Sequence, residues 1–208
     1  MLVQKLKTRF ASNEPIFTNE ILSAFDGYSR AYIFRLINKA EESGELSKFD
    51  TGVYFLPTKS IAGTSTITAE DVVNKKYISY KDDVFGVYSG MNLQNFFSVT
   101  TQMPNTIEVV SNIETMRCRR ITLDGRTVIL RKSRCKIDRS NAQAYTVLQL
   151  LTEIGEISEI DERAKKSIKK YIRENRISSS DLLSLAKYFP AKTSKNLLFS
   201  EVLNDITQ

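Results

Sequence analysis

Nine basic residues crowd into positions 117–139: Arg117, Arg119, Arg120, Arg126, Arg131, Lys132, Arg134, Lys136 and Arg139. Only Asp124 and Asp138 oppose them, so this stretch carries +7 while the whole chain carries +6. The rest of the sequence therefore sums to −1. Guanidinium and ammonium groups at this density bind phosphate or carboxylate. Arg119 and Arg131 stand at similar distances from Asp124-Gly125, a strong short-range hairpin signal, with Arg126 lengthening the loop slightly. That spacing predicts that the two arginines lie across from each other, which is unfavourable unless an anion neutralises them. Nucleic acid, an acidic protein surface, or a splayed solvated sheet face would each account for the block.

A second set lies on a helix read over residues 29–43. Ile33, Leu36, Ile37 and Ala40 recur at helical spacing and mark its core face. The other side offers Ser29, Arg30, Tyr32, Arg35, Asn38 and Lys39, with no acid before Glu41. In a duplex major groove, Arg and Lys contact guanine or phosphate and Asn contacts adenine. Lys48 and Thr51, on the hairpin that follows, are placed to touch backbone phosphates.

Other chemistry is poorly supplied. The chain has no His, which removes the commonest general base and transition-metal ligand. Cys118 and Cys135 are too far apart for a Cys-x-x-Cys metal site. They flank one hairpin, so a bridge is geometrically possible, although two reduced thiols fit a cytoplasmic protein better. No glycine-rich phosphate loop occurs. The acid pairs Glu70-Asp71 and Asp82-Asp83 are the Mg²⁺ candidates, and acids at a helix start ordinarily complement its dipole. Tyr88-Ser89-Gly90 holds a serine with no base in view. The reading is a non-enzyme without metal or cofactor.

The elements that must hold these residues follow from periodicity. Leu2, Val3, Leu6 and Phe10 predict a first helix, and 18–25 a second, with Thr18 as its cap. Asp26-Gly27 is the turn into the helix of 29–43, which stops at Gly44. Runs at 46–49 and 53–56 are short strands around Asp50-Thr51-Gly52. Helix, turn, basic helix and hairpin is the order of a winged helix-turn-helix. The small polar stretch from Pro57 predicts a boundary, giving domains of 1–60 and 61–208. A helix of about three turns from Thr68 is expected to pack through Val72, Val73, Lys76 and Tyr77. Beyond it come an extended run at 84–91, a short helix at 93–97, a strand at 106–111, the basic hairpin, and helices at 141–151, 158–175 (capped by Ser158), 180–189 and 194–206. The helix of 158–175 carries Lys165, Lys166, Lys169, Lys170 and Arg173 on its outer side. Overall this is an α+β protein, with a winged helix-turn-helix followed by a small mainly antiparallel sheet and several C-terminal helices. No apolar run reaches the roughly 18–20 residues needed to span a bilayer, and no secretory signal opens the chain, so a cytoplasmic location is expected.

Two blocks, YSGMNLQNFFSVTTQMPN at 88–105 and VVSNIETMRCRRITLDGRTVILRKSR at 109–134, resemble bacterial AbiEi-type proteins, the antitoxin and regulator halves of type IV toxin–antitoxin systems. The family order of winged helix, YSG…TTQ-x-PN block, arginine-rich hairpin and helices is present in sequence, covering most of residues 15–151. The resemblance implies binding to repeats in the protein's own promoter, repression of that operon, and a role in phage defence. It also implies a nucleotidyltransferase-like toxin partner, opposed without an obligatory stable complex. One reading helix covers few base pairs, so a homodimer or cooperative monomers are expected on double-stranded DNA. Three rivals remain: an RNA binder using the hairpin, a nuclease with Asp82 and Asp83 on a metal, and a protein-interaction adaptor.

Overall fold

Leu2, Val3 and Leu6 fall on one side of α1 (Leu2–Lys7) and are buried in the first of two cores. In the computed structural model, which describes residues 1–61, 63–155 and 160–200, the chain divides into two compact units, 1–75 and 76 onward. The fold is mixed α+β, with small sheets.

In the first unit, β1 (Ile16–Phe17) leads directly into α2 (Thr18–Ala24). Thr18 is not the cap expected of it. Phe17 holds that position, its N–H donating to Glu20 Oε2 at 2.8 Å, while the Thr18 hydroxyl donates to the Gly52 carbonyl at 3.2 Å. Gly27 takes φ +95° in the turn to α3 (Arg30–Glu42). Ser29 caps α3, accepting the Tyr32 N–H at 3.3 Å. The helix ends as Gly44 enters the left-handed region at φ +68°, with Gly44 N–H on the Glu41 carbonyl and Glu45 N–H on the Ala40 carbonyl. That pair of bonds satisfies carbonyls the helix itself leaves open. Strands β2 (Ser47–Asp50) and β3 (Val53–Phe55) form a hairpin with an irregularity between Lys48 and Asp50. β1 adds to β3, giving the antiparallel order β1-β3-β2. Ile21, Phe25, Ile33, Ile37, Leu46 and Tyr54 fill the core between helices and sheet.

The polar stretch after Pro57 makes a small ribbon, β4 (Lys59–Ser60) with β5 (Gly63–Thr64). α4 (Ala69–Val73) follows, with Thr68 and Asp71 capping each other reciprocally. It widens into a π-helical turn over Asn74–Ile78. Val72, Val73 and Tyr77 are buried as expected, but Lys76 is exposed and Lys75 takes the buried place. The reason is charge: Lys75 Nζ lies 2.8 Å from Glu14, 3.1 Å from Glu20 and 2.6 Å from the Pro15 carbonyl.

The second unit opens with a ribbon of β6 (Ser79–Tyr80) and β7 (Asp83–Val84). Then come β8 (Gly86–Ser89), α5 (Gly90–Phe96), β9 (Thr106–Ser111), β10 (Cys118–Leu123) and β11 (Arg126–Lys132). α5 begins at Gly90 rather than near Leu93. The sheet order is β10-β11-β9-β8; β9 and β11 run parallel and the other two pairs antiparallel. Asp124 and Gly125 both have positive φ, as a two-residue hairpin turn demands. Arg126 pairs with Leu123 in the ladder, so it belongs to the strand and does not lengthen the loop.

Helix α6 (Ala142–Glu153) is the hub of this unit, buried at Ala144, Tyr145, Val147, Leu148, Leu150 and Leu151. Val87 and Val110 from one sheet face join it in the core, along with side chains of α7 (Glu162–Glu174), α8 (Ser179–Ala186) and α9 (Ala191–Phe199). The cap of α7 is Asp161, which accepts the Ala164 N–H at 2.8 Å; Ser158, expected there, lies outside the described residues. In α9 Leu197 is buried and Leu198 exposed, while Val202, Leu203 and Ile206 also lie outside.

Candidate nucleic-acid interface

Burying Ile33, Ile37 and Ala40 turns the opposite side of α3 to solvent. Ser29, Arg30, Arg35, Asn38 and Lys39 are all exposed, and Tyr32 is half-buried. At about 100° per residue, Arg35 and Asn38 share the outermost strip, Lys39 and Tyr32 one flank, and Arg30 the other. The six predicted residues therefore wrap the helix instead of forming a single row. Tyr28, which sequence reading passed over, stacks on Tyr32 with centroids 5.5 Å apart and planes 17° apart. The Arg35 guanidinium sits 5.5 Å from the Tyr32 ring, extending the stack. Arg30 lies 5.6 Å from the Phe34 ring. Aromatic spacing of four residues, with Arg three further on, was the available signal. These contacts hold flexible cations against rings, which lowers the entropy they lose on binding.

Lys48 is exposed on β2, and Thr51 is exposed at the hairpin tip with its N–H bonded to Asp50 Oδ1. The acid beside Thr51 makes this hairpin a near-neutral surface.

The basic block is arranged differently from the expectation. Cys118 opposes Arg131, and Arg119 opposes Leu130. Alternation in a strand then sends Arg119 and Arg131 to opposite faces. Each is already matched by an acid. Arg119 Nε and Nη2 both lie 2.8 Å from Glu114 Oε2, and Arg131 Nη2 lies 3.1 Å from Glu108 Oε2. Like-charge crowding thus gives no reason to require an external anion at these two positions. Glu114 is 3% exposed. Burial works to raise its pKa, but the Met116 N–H, the Arg119 guanidinium and the Thr115 N–H outweigh it and hold the carboxyl below its ordinary range. Arg117, Arg120, Lys132 and Arg134 are exposed, and Arg126 is half-buried. The Arg134 N–H donates to Tyr145 Oη at 3.0 Å, and burial pushes that phenol up to about 12.

On α7, Lys165, Lys166, Lys169, Lys170 and Arg173 line a groove of about 420 Å³ with Glu162 and Glu174. Glu162 pairs with Lys165 at 2.7 Å and Glu174 with Lys170 at 3.7 Å.

One acid of each Mg²⁺ candidate pair is engaged elsewhere. Asp71 is engaged with Thr68, and Asp82 forms an exposed 3.5 Å pair with Arg139. Among the described residues no three His, Cys, Asp or Glu side chains gather where a metal could sit. Both cysteines are free thiols, Cys118 exposed and Cys135 half-buried. Among the described residues no helix is long and apolar enough to cross a membrane. No protein-family model matches the chain, and no curated protein matches it in sequence.

Proposed function

We propose that the chain is a sequence-specific DNA-binding repressor whose first unit is a winged helix-turn-helix and whose reading helix is α3. The observation that carries this is the division of α3 itself. A helix capped by Ser29 buries Ile33, Ile37 and Ala40 and presents Arg35, Asn38 and Lys39 to solvent, directly before an antiparallel hairpin. Its acids, Glu41 and Glu42, come only in the last turn. Arg30 and Arg35 make the N-terminal half the cationic half, the half that meets base edges when such a helix enters a major groove, and Asn38 and Lys39 follow on the next turn. In this reading Lys48 and Thr51 contact backbone, and the basic hairpin offers further cations to an anion on both sides of its strands, Arg120 on the Arg131 face and Arg126 and Lys132 on the Arg119 face, with Arg117 and Arg134 beyond the strand ends. Arg119 and Arg131, each held by its own acid, Glu114 and Glu108, stand one on each of those faces.

The biological role follows the AbiEi-type resemblance: a cytoplasmic antitoxin that represses its own operon and opposes a nucleotidyltransferase-like toxin. A gel-shift or anisotropy titration on duplex from the protein's own promoter tests the DNA reading. The expected outcome is tight, salt-sensitive binding. Arg35→Ala with Lys39→Ala should weaken it by about 1–3 kcal/mol for each base edge no longer read. Equal affinity of that variant and the parent removes α3 as the reader. The exposed hairpin cations favour one second reading, RNA recognition by the second unit, and tighter binding to structured RNA than to promoter duplex would select it.

A further inference from the structure

Three of the buried oxygens without partners collect around Gly90. Among the described residues four buried side-chain atoms lack a hydrogen-bond partner: Ser179 Oγ at the start of α8, and Ser89 Oγ, Gln149 Oε1 and Glu153 Oε2. Their neighbours bring the last three together. The Gly90 N–H donates to the Glu153 carboxylate. Gln149 Nε2 donates to Glu153 Oε1 at 2.7 Å, so the rest of that amide lies beside the same carboxylate. Ser89 precedes Gly90 and is the register partner of Glu108 across β8 and β9. Gly90 has φ +61°, and a Cβ there would collide with the Glu108 carboxylate. Ser89 is 0% exposed and Gln149 5% exposed.

The charge around these atoms is negative. Glu108 and Glu153 supply two carboxylates, and Arg131 answers one of them. Glu153 is also the last residue of α6, where aligned peptide dipoles add partial negative charge. A further cation would relieve repulsion between the carboxylates, complement the helix end and occupy the unpartnered acceptors. Every available donor atom is oxygen, which selects hard divalent ions over thiolate- or imidazole-seeking metals. The opening is at Glu108 and Arg131, whose side chains are 21% and 44% exposed.

We propose that Ser89, Glu108, Gln149 and Glu153 form a site for one hard divalent cation of the Mg²⁺, Ca²⁺ or Mn²⁺ class. Glu153 Oε2, Gln149 Oε1 and Ser89 Oγ are its protein ligands, Glu108 is the second carboxylate, and water fills the remaining positions. The site is independent of DNA binding by α3.

Metal-stripped full-length protein, titrated with Mn²⁺ and followed by the electron-spin resonance of the free ion, tests this directly. The expected result is one saturable Mn²⁺ per chain, a melting temperature that rises with Mn²⁺ as binding to the folded state requires, and competition by Mg²⁺ or Ca²⁺. Glu153→Gln and Ser89→Ala should each weaken binding by roughly tenfold or more, while both remain folded in EDTA by circular dichroism. No Mn²⁺ uptake by the parent at millimolar concentration overturns the site. So does uptake that survives both substitutions. A parent whose melting temperature is indifferent to Mn²⁺, Mg²⁺ and Ca²⁺ means that a proton or an ordered water satisfies these oxygens, and the proposal falls.

Discussion

Arg119 and Glu114 meet with Nε and Nη2 both 2.8 Å from a single oxygen, Glu114 Oε2. The other carboxylate oxygen, Oε1, accepts the N–H groups of Thr115 and Met116. One buried acid therefore closes the loop that feeds β10 and sets the direction of an arginine in the basic block. Glu114→Ala leaves two N–H groups and a guanidinium without their partner. The expected cost is about 1–3 kcal/mol, read from the urea midpoint; an unchanged midpoint would show that the loop reorganises freely.

The same acid has a pH signature. Because its folded pKa is depressed, its stabilisation is present above the unfolded value of 4.5 and is lost as pH falls through the folded value. Acid unfolding of the parent should therefore be steeper below that point than acid unfolding of Glu114→Gln.

Glu153 behaves in the opposite sense. Burial is the main cause of its raised pKa and Glu108 adds to it, against the Gly90 N–H, Gln149 and Arg131. Its contribution is fully present below the unfolded value of 4.5 and is lost as pH rises through the folded value. In EDTA, Glu153→Gln should melt higher than the parent at neutral pH and match it near pH 4. A parallel offset at both pH values contradicts the assignment.

Lys75 is clasped by Glu14, Glu20 and the Pro15 carbonyl, with its ammonium 4.7 Å from the Phe10 ring. Its side chain is 7% exposed. Lys75→Met keeps the stem and removes the charge, which strands two carboxylates. A loss of about 3 kcal/mol is expected, measured by thermal or urea unfolding.

Ser29→Ala should cost about 1 kcal/mol by removing the cap on Tyr32 N–H. Its effect on promoter affinity should be smaller than that of Arg35→Ala. If Ser29→Ala abolishes binding while the helix stays folded, Ser29 itself contacts DNA.

The local elements were legible because each depends on neighbours in sequence. The 3.6-residue pattern of Ile33, Ile37 and Ala40, the Ser29 cap, the stop at Gly44 and the Asp124-Gly125 turn all act within a few residues, and all are found. Composition likewise located the basic block. Tertiary structure decided what that block does with its charge. Glu108 reaches Arg131 through the register of β9 on β11, where a shift of one residue reverses every side chain's face, and Glu114 reaches Arg119 because the loop before β10 folds back on that strand. The parallel pairing of β9 with β11, the exchange of Lys76 for Lys75 in the core, and the gathering of Ser89, Gln149 and Glu153 around Gly90 have the same origin. They join residues as many as 64 positions apart, and their selection rests on burial and charge pairing in three dimensions, which no local spacing encodes.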